Sequence, residues 1–125
     1  MAVNAGIATG SSRRRRWLRF QFALPVRVTL EKRQQVSVIQ SRSSQVNGGG
    51  LCFLADDGVF GEADLVVGDE AEITLTDYNL TLTGVIRNRV GDHCGVQFLI
   101  TSAEDAEHLG RFRQMLGEKV GCLHA

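Results

Sequence analysis

The sequence is poor in the residues that mark several common classes of protein. Its three cysteines form no Cys-x-x-Cys pair, so it predicts neither a disulfide framework nor a zinc site. No apolar run approaches the length of a membrane span, and residues 1–12 lack the basic start and apolar centre of a signal peptide. We therefore expect a cytoplasmic protein that does not enter the membrane.

Residues in catalytic arrangements are also missing. The histidines His93, His108 and His124 are scattered, and none lies in a motif with a cysteine or a serine. The acidic residues of 56–72 lack the spacing of a calcium loop, and the glycines 48–50 are not followed by the Lys-Ser/Thr of a phosphate-binding loop. The sequence thus predicts no enzyme, no metal site and no bound cofactor.

Charge is balanced overall but unevenly distributed. The net charge is zero, yet residues 1–42 carry nine of the 14 Lys and Arg side chains and a single acid, Glu31. Five of the nine form one cluster, Arg13, Arg14, Arg15, Arg16 and Arg19. Zero net charge argues against a protein that coats DNA or RNA, which needs a broad basic surface. One compact anionic ligand remains compatible with it, and so does a plain basic tail.

Alternating apolar residues predict a protein built mainly from β-strands. Phe20 to Leu30 alternate strictly with smaller or polar residues, and similar short strands follow within 35–44, 51–54, 70–76, 80–89 and 94–100. Leu65-Val66-Val67 is a candidate for one more brief strand. Cys52 and Cys94 lie within the apolar patterns and are expected to be small core residues.

A single helix is predicted at the C-terminal end. Thr101 or Ser102 can cap it, with an acid three residues later, and Gly117 or Gly121 is expected to end it. Its apolar stripe recurs at spacings of three and four residues and indicates packing against the strands. Six or seven strands followed by one helix favour a small antiparallel barrel with the helix packed on it.

Two features of the sequence carry binding chemistry. Arginines bind phosphate oxygens through a planar fork of donors, and five of them precede the first strand. The second strand is followed by a polar glycine loop that contains Gln45, Asn47 and Gly50. Consecutive glycines indicate positive φ or a close backbone approach, and amides suit the edge of a base. Together they predict a site for a small purine-containing phosphodiester, although the loop alone can be a simple turn.

With both features in this order, the chain resembles the PilZ domain family of bacterial cyclic di-GMP receptors. The RxxxR motif of that family matches Arg15 and Arg19, with Arg14 and Arg16 as additional cations. Its [D/N]xSxxG motif aligns with residues 45–50, where Gly50 matches but Gln45 replaces the acid and Asn47 replaces the serine. Where many relatives place a stacking aromatic residue after the fifth strand, this chain has Arg87 or Asn88.

The resemblance implies a fold, a site and a function. The fold is a six-stranded antiparallel β-barrel with a C-terminal helix, spanning 13–117 between a flexible segment, 1–12, and a tail, 118–125. The ligand is cyclic di-GMP, and the expected binding residues are Arg14, Arg15, Arg16, Arg19, Gln45, Asn47, Gly50 and Arg87. The protein would act as an effector whose N-terminal arginine segment changes conformation on binding and signals to an unknown protein partner, as a monomer or a ligand-linked dimer.

Two alternatives remain open. Losing the charged acceptor at Gln45 costs about 1–3 kcal/mol of binding free energy, so a degenerate module that binds only proteins is the second hypothesis. A small barrel that binds single-stranded nucleic acid is the third, because Trp17 and Phe20 lie beside the arginines.

Overall fold

Six antiparallel strands close into a barrel that carries one helix. The computed structural model describes residues 19–54 and 65–124. The strands are hydrogen-bonded around the barrel in the order β1-β2-β3-β6-β5-β4. Their bounds, with those of helix α1, are β1 (Pro25–Lys32), β2 (Gln35–Asn47), β3 (Gly50–Leu54), β4 (Glu70–Leu75), β5 (Leu80–Val90), β6 (His93–Phe98) and α1 (Ala103–His124). The predicted fold class is confirmed.

The barrel interior is filled by the residues that alternate along the strands. Val26 and Val28 of β1 are buried, as the period-2 pattern requires, and the same core contains Ile73 of the neighbouring strand β4 and Ile86 of β5. Helix α1 adds three apolar side chains to the same core, Leu109, Phe112 and Leu116. The Phe112 ring meets the Phe98 ring edge to face, with centroids 5.1 Å apart. One core therefore holds both the strands and the helix.

The chain before β1 is held against β2 without being part of a regular strand. The strand predicted from Phe20 begins only at Pro25, so this start was wrong. Phe20 instead forms an isolated antiparallel bridge with Val46. The backbone N–H of Leu24 donates to the Oγ of buried Ser43 over 2.9 Å, and the Ser43 N–H donates back to the Leu24 carbonyl over 2.9 Å. These bonds fix where the preceding arginine lies.

Several features predicted from the sequence differ in the structure. Strand β2 continues to Asn47 instead of ending at residue 44, so Gln45 and Asn47 lie on a strand and not in the loop after it. Leu65 and Val66 adopt no regular structure and Val67 lies in a turn, so the additional strand does not form. Strand β6 ends at Phe98, and Ile100 is 59% exposed instead of facing the core. Helix α1 runs past both glycines to His124, because an isolated glycine costs a helix only about 1 kcal/mol and tertiary packing offsets that.

The start of the helix agrees with its predicted cap. Ser102 Oγ accepts a 3.1 Å hydrogen bond from the Asp105 N–H, as a capping residue does. The Asp105 carboxylate in turn accepts from the Thr101 N–H over 2.8 Å and from Thr83 Oγ1 of β5 over 3.0 Å. These hydrogen bonds, those from Thr101 foremost, lower the pKa of Asp105 below its ordinary value of 3.8. One carboxylate thus joins the helix start to the barrel.

In the two described ranges, no helix combines the length and the apolar character that crossing a membrane requires.

Candidate ligand-binding face

The first component of the candidate site is Arg19, which the Phe20–Val46 bridge brings to β2. Phe20 and Val46 exchange two backbone hydrogen bonds of 2.8 Å each. Arg19, exposed and one residue earlier, then reaches Gln45, and its Nη1 donates to Gln45 Oε1 over 3.4 Å. Two residues that are 26 positions apart in sequence, both predicted as ligand-binding, therefore lie side by side.

The second component is the turn between β2 and β3, in which Gly48 and Gly49 link Asn47 to Gly50. Asn47 Oδ1 accepts a 2.7 Å hydrogen bond from the Gly49 N–H, so the Asn47 side chain shapes the turn. The Gly49 carbonyl accepts from the Phe98 N–H over 2.9 Å. The turn is therefore held both by its own side chain and by the end of β6.

The sequence left two reasons for the glycines of this turn, positive φ or a close backbone approach, and the structure distinguishes them at Gly50. The described glycines with positive φ are Gly68 and Gly91, so the run does not owe its glycines to positive φ. A Cβ atom on Gly50 would lie 2.1 Å from the Val96 carbonyl oxygen of β6. The close approach of the β3 and β6 backbones thus requires glycine at this position. This packing role explains Gly50 independently of the ligand-binding role predicted for it.

The barrel exterior beside this turn forms one continuous surface, which we call the outer face. Cross-strand pairing aligns Gln45 with Cys52, Cys52 with Gly95, and Gly95 with Asn88, across β2, β3, β6 and β5. Directly paired residues point to the same side of a sheet, so these four share one row. Within this row, Gly95 contributes no side chain of its own.

A β-bulge determines which residue of β5 joins this row. The register of β5 against β6 shifts between Ile86 and Asn88, with Arg87 in between. A Cβ atom on Gly95 would lie 2.7 Å from Asn88 Oδ1, so the Asn88 amide covers Gly95. Arg87 turns to β6 instead, and its Nε donates to Gln97 Oε1 over 2.6 Å. Arg87 therefore borders the outer face, while Asn88 lies on it.

The four strands that form this face carry no negative charge. Strands β2, β3, β5 and β6 contain no Asp or Glu, and their cationic residues are Arg42, Arg87 and Arg89. The acids of the barrel strands lie on β1 and β4, as Glu31, Glu70 and Glu72. Arg89 pairs with buried Cys94 and donates to the Leu65 carbonyl, so the exposed cations beside the outer face are Arg42 and Arg87. Zero net charge thus conceals a barrel with one cationic side, which attracts anions.

Cys52 lies on this cationic side and not in the core, contrary to the prediction. It is half-buried, and burial raises the pKa of its thiol although the nearby Arg19 charge opposes the rise. Cys94 is fully buried as predicted, and burial raises the pKa of its thiol to about 11. Both thiols are therefore neutral near pH 7, and Cys52 offers the outer face a small, uncharged surface.

The amides of Gln45 and Asn47 each use their oxygen within the protein. Their oxygens already accept, from Arg19 and from the Gly49 N–H respectively. Each amide also carries an NH₂ group with two donors, and neither group donates a hydrogen bond within the described part of the chain. Purine N7 and O6 atoms and phosphate oxygens all accept hydrogen bonds, so the face suits an anion that carries purines.

The structure unites part of the predicted site. Arg19, Gln45, Asn47 and Gly50 come together, and Arg87 lies on β5, two strands from Gly50 and three from Gln45, at the border of the same face. The predicted residues Arg14, Arg15 and Arg16 lie outside the described residues. Sequence reasoning missed three residues of the face, Cys52, Gly95 and Gln97, because only the strand register aligns Cys52 and Gly95 with Gln45 and pairs Gln97 with Gly50. Over 19–54 and 65–124, no cluster of three or more His, Cys, Asp or Glu could hold a metal ion.

The chain thus combines a small closed barrel with an outer face whose strands lack acids. Comparison with protein families identifies its kind: the PilZ domain model matches residues 13–114, so the chain belongs to the PilZ domain family. The resemblance seen in the sequence is thereby confirmed. No curated protein matches the chain.

Solved structures agree with this fold at low sequence identity. The PilZ domain of CeSA from a cellulose-synthesizing bacterium is 16% identical with a TM-score of 0.61, over 80% of this chain and 98% of that one. The PilZ domain of YcgR from Escherichia coli, solved with c-di-GMP, is 19% identical with a TM-score of 0.56, over 86% and 94%. The K. pneumonia MrkH–c-di-GMP complex is 13% identical with a TM-score of 0.62, over 85% of this chain and 53% of MrkH. The chain thus spans about half the length of MrkH.

Proposed function

We propose that this protein is a cytoplasmic receptor for cyclic di-GMP and not an enzyme, and that it binds the dinucleotide on its outer face. The observation that carries the proposal is the joining of Arg19 to Gln45 beside the glycine turn, on the side of the barrel whose strands lack acids. Membership of the PilZ family supports the same ligand, since two similar structures hold c-di-GMP.

Each residue of the face has a distinct role in this proposal. Arg19 and Arg87 hold phosphate oxygens or the N7 and O6 acceptors of guanine. Gln45 and Asn47 donate through their NH₂ groups, and Gly50 keeps the turn close to β6. Because Gln45 is neutral, no carboxylate compensates the Arg19 charge, which strengthens the attraction to phosphate. The stronger attraction to phosphate opposes the loss of binding free energy that follows from having no charged acceptor for guanine.

Arginines 14–16 lie three to five residues before Arg19, and we propose that they supply the switch. In our proposal, Arg14, Arg15 and Arg16 contact the phosphates, and the segment closes over the ligand. A ligand shifts a conformational equilibrium only through contacts that differ between the two states, and these arginines make contacts only in the closed state. A protein partner then recognises the closed segment.

One observation favours the second candidate, a PilZ module that binds only proteins. Arg19 occupies the Gln45 oxygen that would otherwise accept from the guanine N–H groups. If this hydrogen bond persists in solution, the chain lacks the acceptor that an acid supplies elsewhere in the family. A titration distinguishes the two candidates.

The test is isothermal titration of the wild-type protein with cyclic di-GMP, with cyclic di-AMP as the base control. Removing the Arg19 charge in Arg19→Ala should weaken binding about ten- to a hundredfold, the equivalent of 1.5–3 kcal/mol for a charged hydrogen bond. Arg27→Ala is the matched control, because Arg27 is an exposed cation on β1, outside the four strands of the face. Absence of heat with the wild type would refute the receptor and leave the protein-binding candidate.

Trypsin tests the switch separately, because it cleaves after arginine. Saturating cyclic di-GMP should slow cleavage after Arg14, Arg15 and Arg16, as followed by mass spectrometry. Cleavage after exposed Arg33, in the β1–β2 turn, is the internal control and should not change. Equal cleavage of the arginine cluster with and without bound ligand would contradict closure while leaving binding intact.

A further inference from the structure

Helix α1 contacts the glycine turn of the outer face directly. Arg113 Nε donates a 2.8 Å hydrogen bond to the Gly48 carbonyl, although the two residues are 65 positions apart. Gly48 is a buried residue, and its hydrogen bond to Arg113 is partly buried. A buried carbonyl without a partner is costly, and the Arg113 bond therefore favours the turn conformation seen here.

The same helix also reaches the segment that carries Arg19. Lys119 Nζ lies 5.1 Å from the centre of the Phe22 ring, which stacks on Phe20. Phe20 is the residue that bridges to Val46 and places Arg19. Both halves of the outer face, the turn and the Arg19 segment, thus have a partner on α1.

Arg113 differs from the other partners of the turn in its place in the fold. Asn47 acts from within the turn, and Phe98 acts through the backbone at the end of β6. Arg113 alone among these three acts through a long side chain from a separate element. A side-chain bond of this kind can be removed without changing the strands.

We propose that Arg113 is a positioning residue of the ligand site, which holds the 47–50 turn in the conformation that binds. This inference rests on the proposed function, since the ligand is the same dinucleotide. The apparent affinity of a ligand falls in proportion to the fraction of protein in the binding conformation. If loss of the Arg113 bond leaves about a tenth of the turns correctly placed, affinity falls about tenfold.

Four variants separate the hydrogen bond from the charge. Arg113→Gln keeps an N–H donor at the same number of bonds from the backbone as Arg Nε, but has no charge. Arg113→Lys keeps the charge but places its donor one bond further out, and Arg113→Met keeps neither. Arg111→Met is the matched control, because Arg111 is exposed on the same helix and its loss removes an equal charge.

Titration with cyclic di-GMP should give an ordered result. Arg113→Gln and Arg111→Met should bind within about twofold of the wild type, and Arg113→Met and Arg113→Lys should bind about tenfold more weakly. Equal affinities of Arg113→Met and Arg111→Met would overturn the inference and leave the receptor in place. Rescue by lysine but not by glutamine would overturn it as well, by assigning the effect to charge.

Amide hydrogen exchange without ligand provides the second measurement. The Gly49 N–H donates to Asn47 Oδ1 within the turn, and the Phe98 N–H donates to the Gly49 carbonyl. Both N–H groups should therefore exchange severalfold faster in Arg113→Met and at the wild-type rate in Arg111→Met. Unchanged exchange in Arg113→Met would overturn the positioning role whatever the affinities. Wild-type protein that fails to bind cyclic di-GMP would overturn the receptor and, with it, this ligand role.

Discussion

Gly50→Ala tests whether the packing of two backbones explains the last glycine of the turn. The added Cβ would lie 2.1 Å from the Val96 carbonyl oxygen, where real Cβ atoms keep at least 3.0 Å. The obstacle is backbone at the turn end of the β3–β6 ladder, in which Gly50 pairs with Gln97 and Leu51 with Val96. The two strands must therefore separate by roughly 1 Å at their junction with the turn.

The expected cost is large for the addition of one methyl group. Overpacking of a well-packed site costs about 1–3 kcal/mol, and a rigid backbone obstacle places this variant near the upper end. For a domain of this size, a loss of about 3 kcal/mol lowers the melting temperature by roughly 10 °C. Thermal unfolding followed by circular dichroism measures it.

Gly95→Ala is the matched control for this prediction. Its Cβ would meet the Asn88 side-chain amide at 2.7–3.0 Å, and that exposed amide can rotate away. We expect a cost below about 1 kcal/mol of unfolding free energy. A melting temperature of Gly50→Ala within about 3 °C of the wild type would refute the reasoning, and so would a larger loss in Gly95→Ala.

Three further predictions concern other parts of the chain. Gly110→Ala should raise the unfolding free energy by about 0.5–1 kcal/mol in urea titrations, because Gly110 is exposed in α1 with nothing within 4 Å of the new Cβ. Because the folded state lowers the pKa of Asp105, this carboxylate stabilises the fold at pH values above 3.8, its ordinary pKa. That stabilisation is lost as the pH falls through the lowered pKa of the folded state. Asp105→Asn should therefore flatten the acid limb of stability measured between pH 5 and pH 2. With a thiol pKa of about 11, buried Cys94 should resist iodoacetamide at pH 8 and react in urea, as read by peptide mass spectrometry; modification of the folded protein would contradict it.

The elements that the sequence predicts well are those set by local periodicity. Alternation in β1 and the capping serine of α1 follow from neighbouring residues, and both are confirmed. The errors lie where tertiary packing decides. Gly117 does not end α1, because Leu116 is buried in the core, and Ile100 is exposed because β6 has already ended.

Cys52 illustrates why the outer face is harder to predict than the strands. Its neighbours Leu51 and Phe53 face the core, so the apolar run conceals a residue that points outward. The bulge at Arg87 likewise changes which residue of β5 lies opposite Gly95. Both facts depend on how one strand is aligned with another, and a sequence read locally does not contain that alignment.

The sequence by itself determined the fold class, the PilZ family and two separate binding features, because alternation and short motifs are local properties. Only the tertiary structure decided that Arg19 donates to Gln45, that the Asn47 oxygen is used within the turn, and that Arg113 reaches Gly48 from the helix. These contacts join residues through barrel closure and helix packing. The physical reason is that hydrogen bonds depend on positions fixed by the whole core, which no segment of the chain specifies alone.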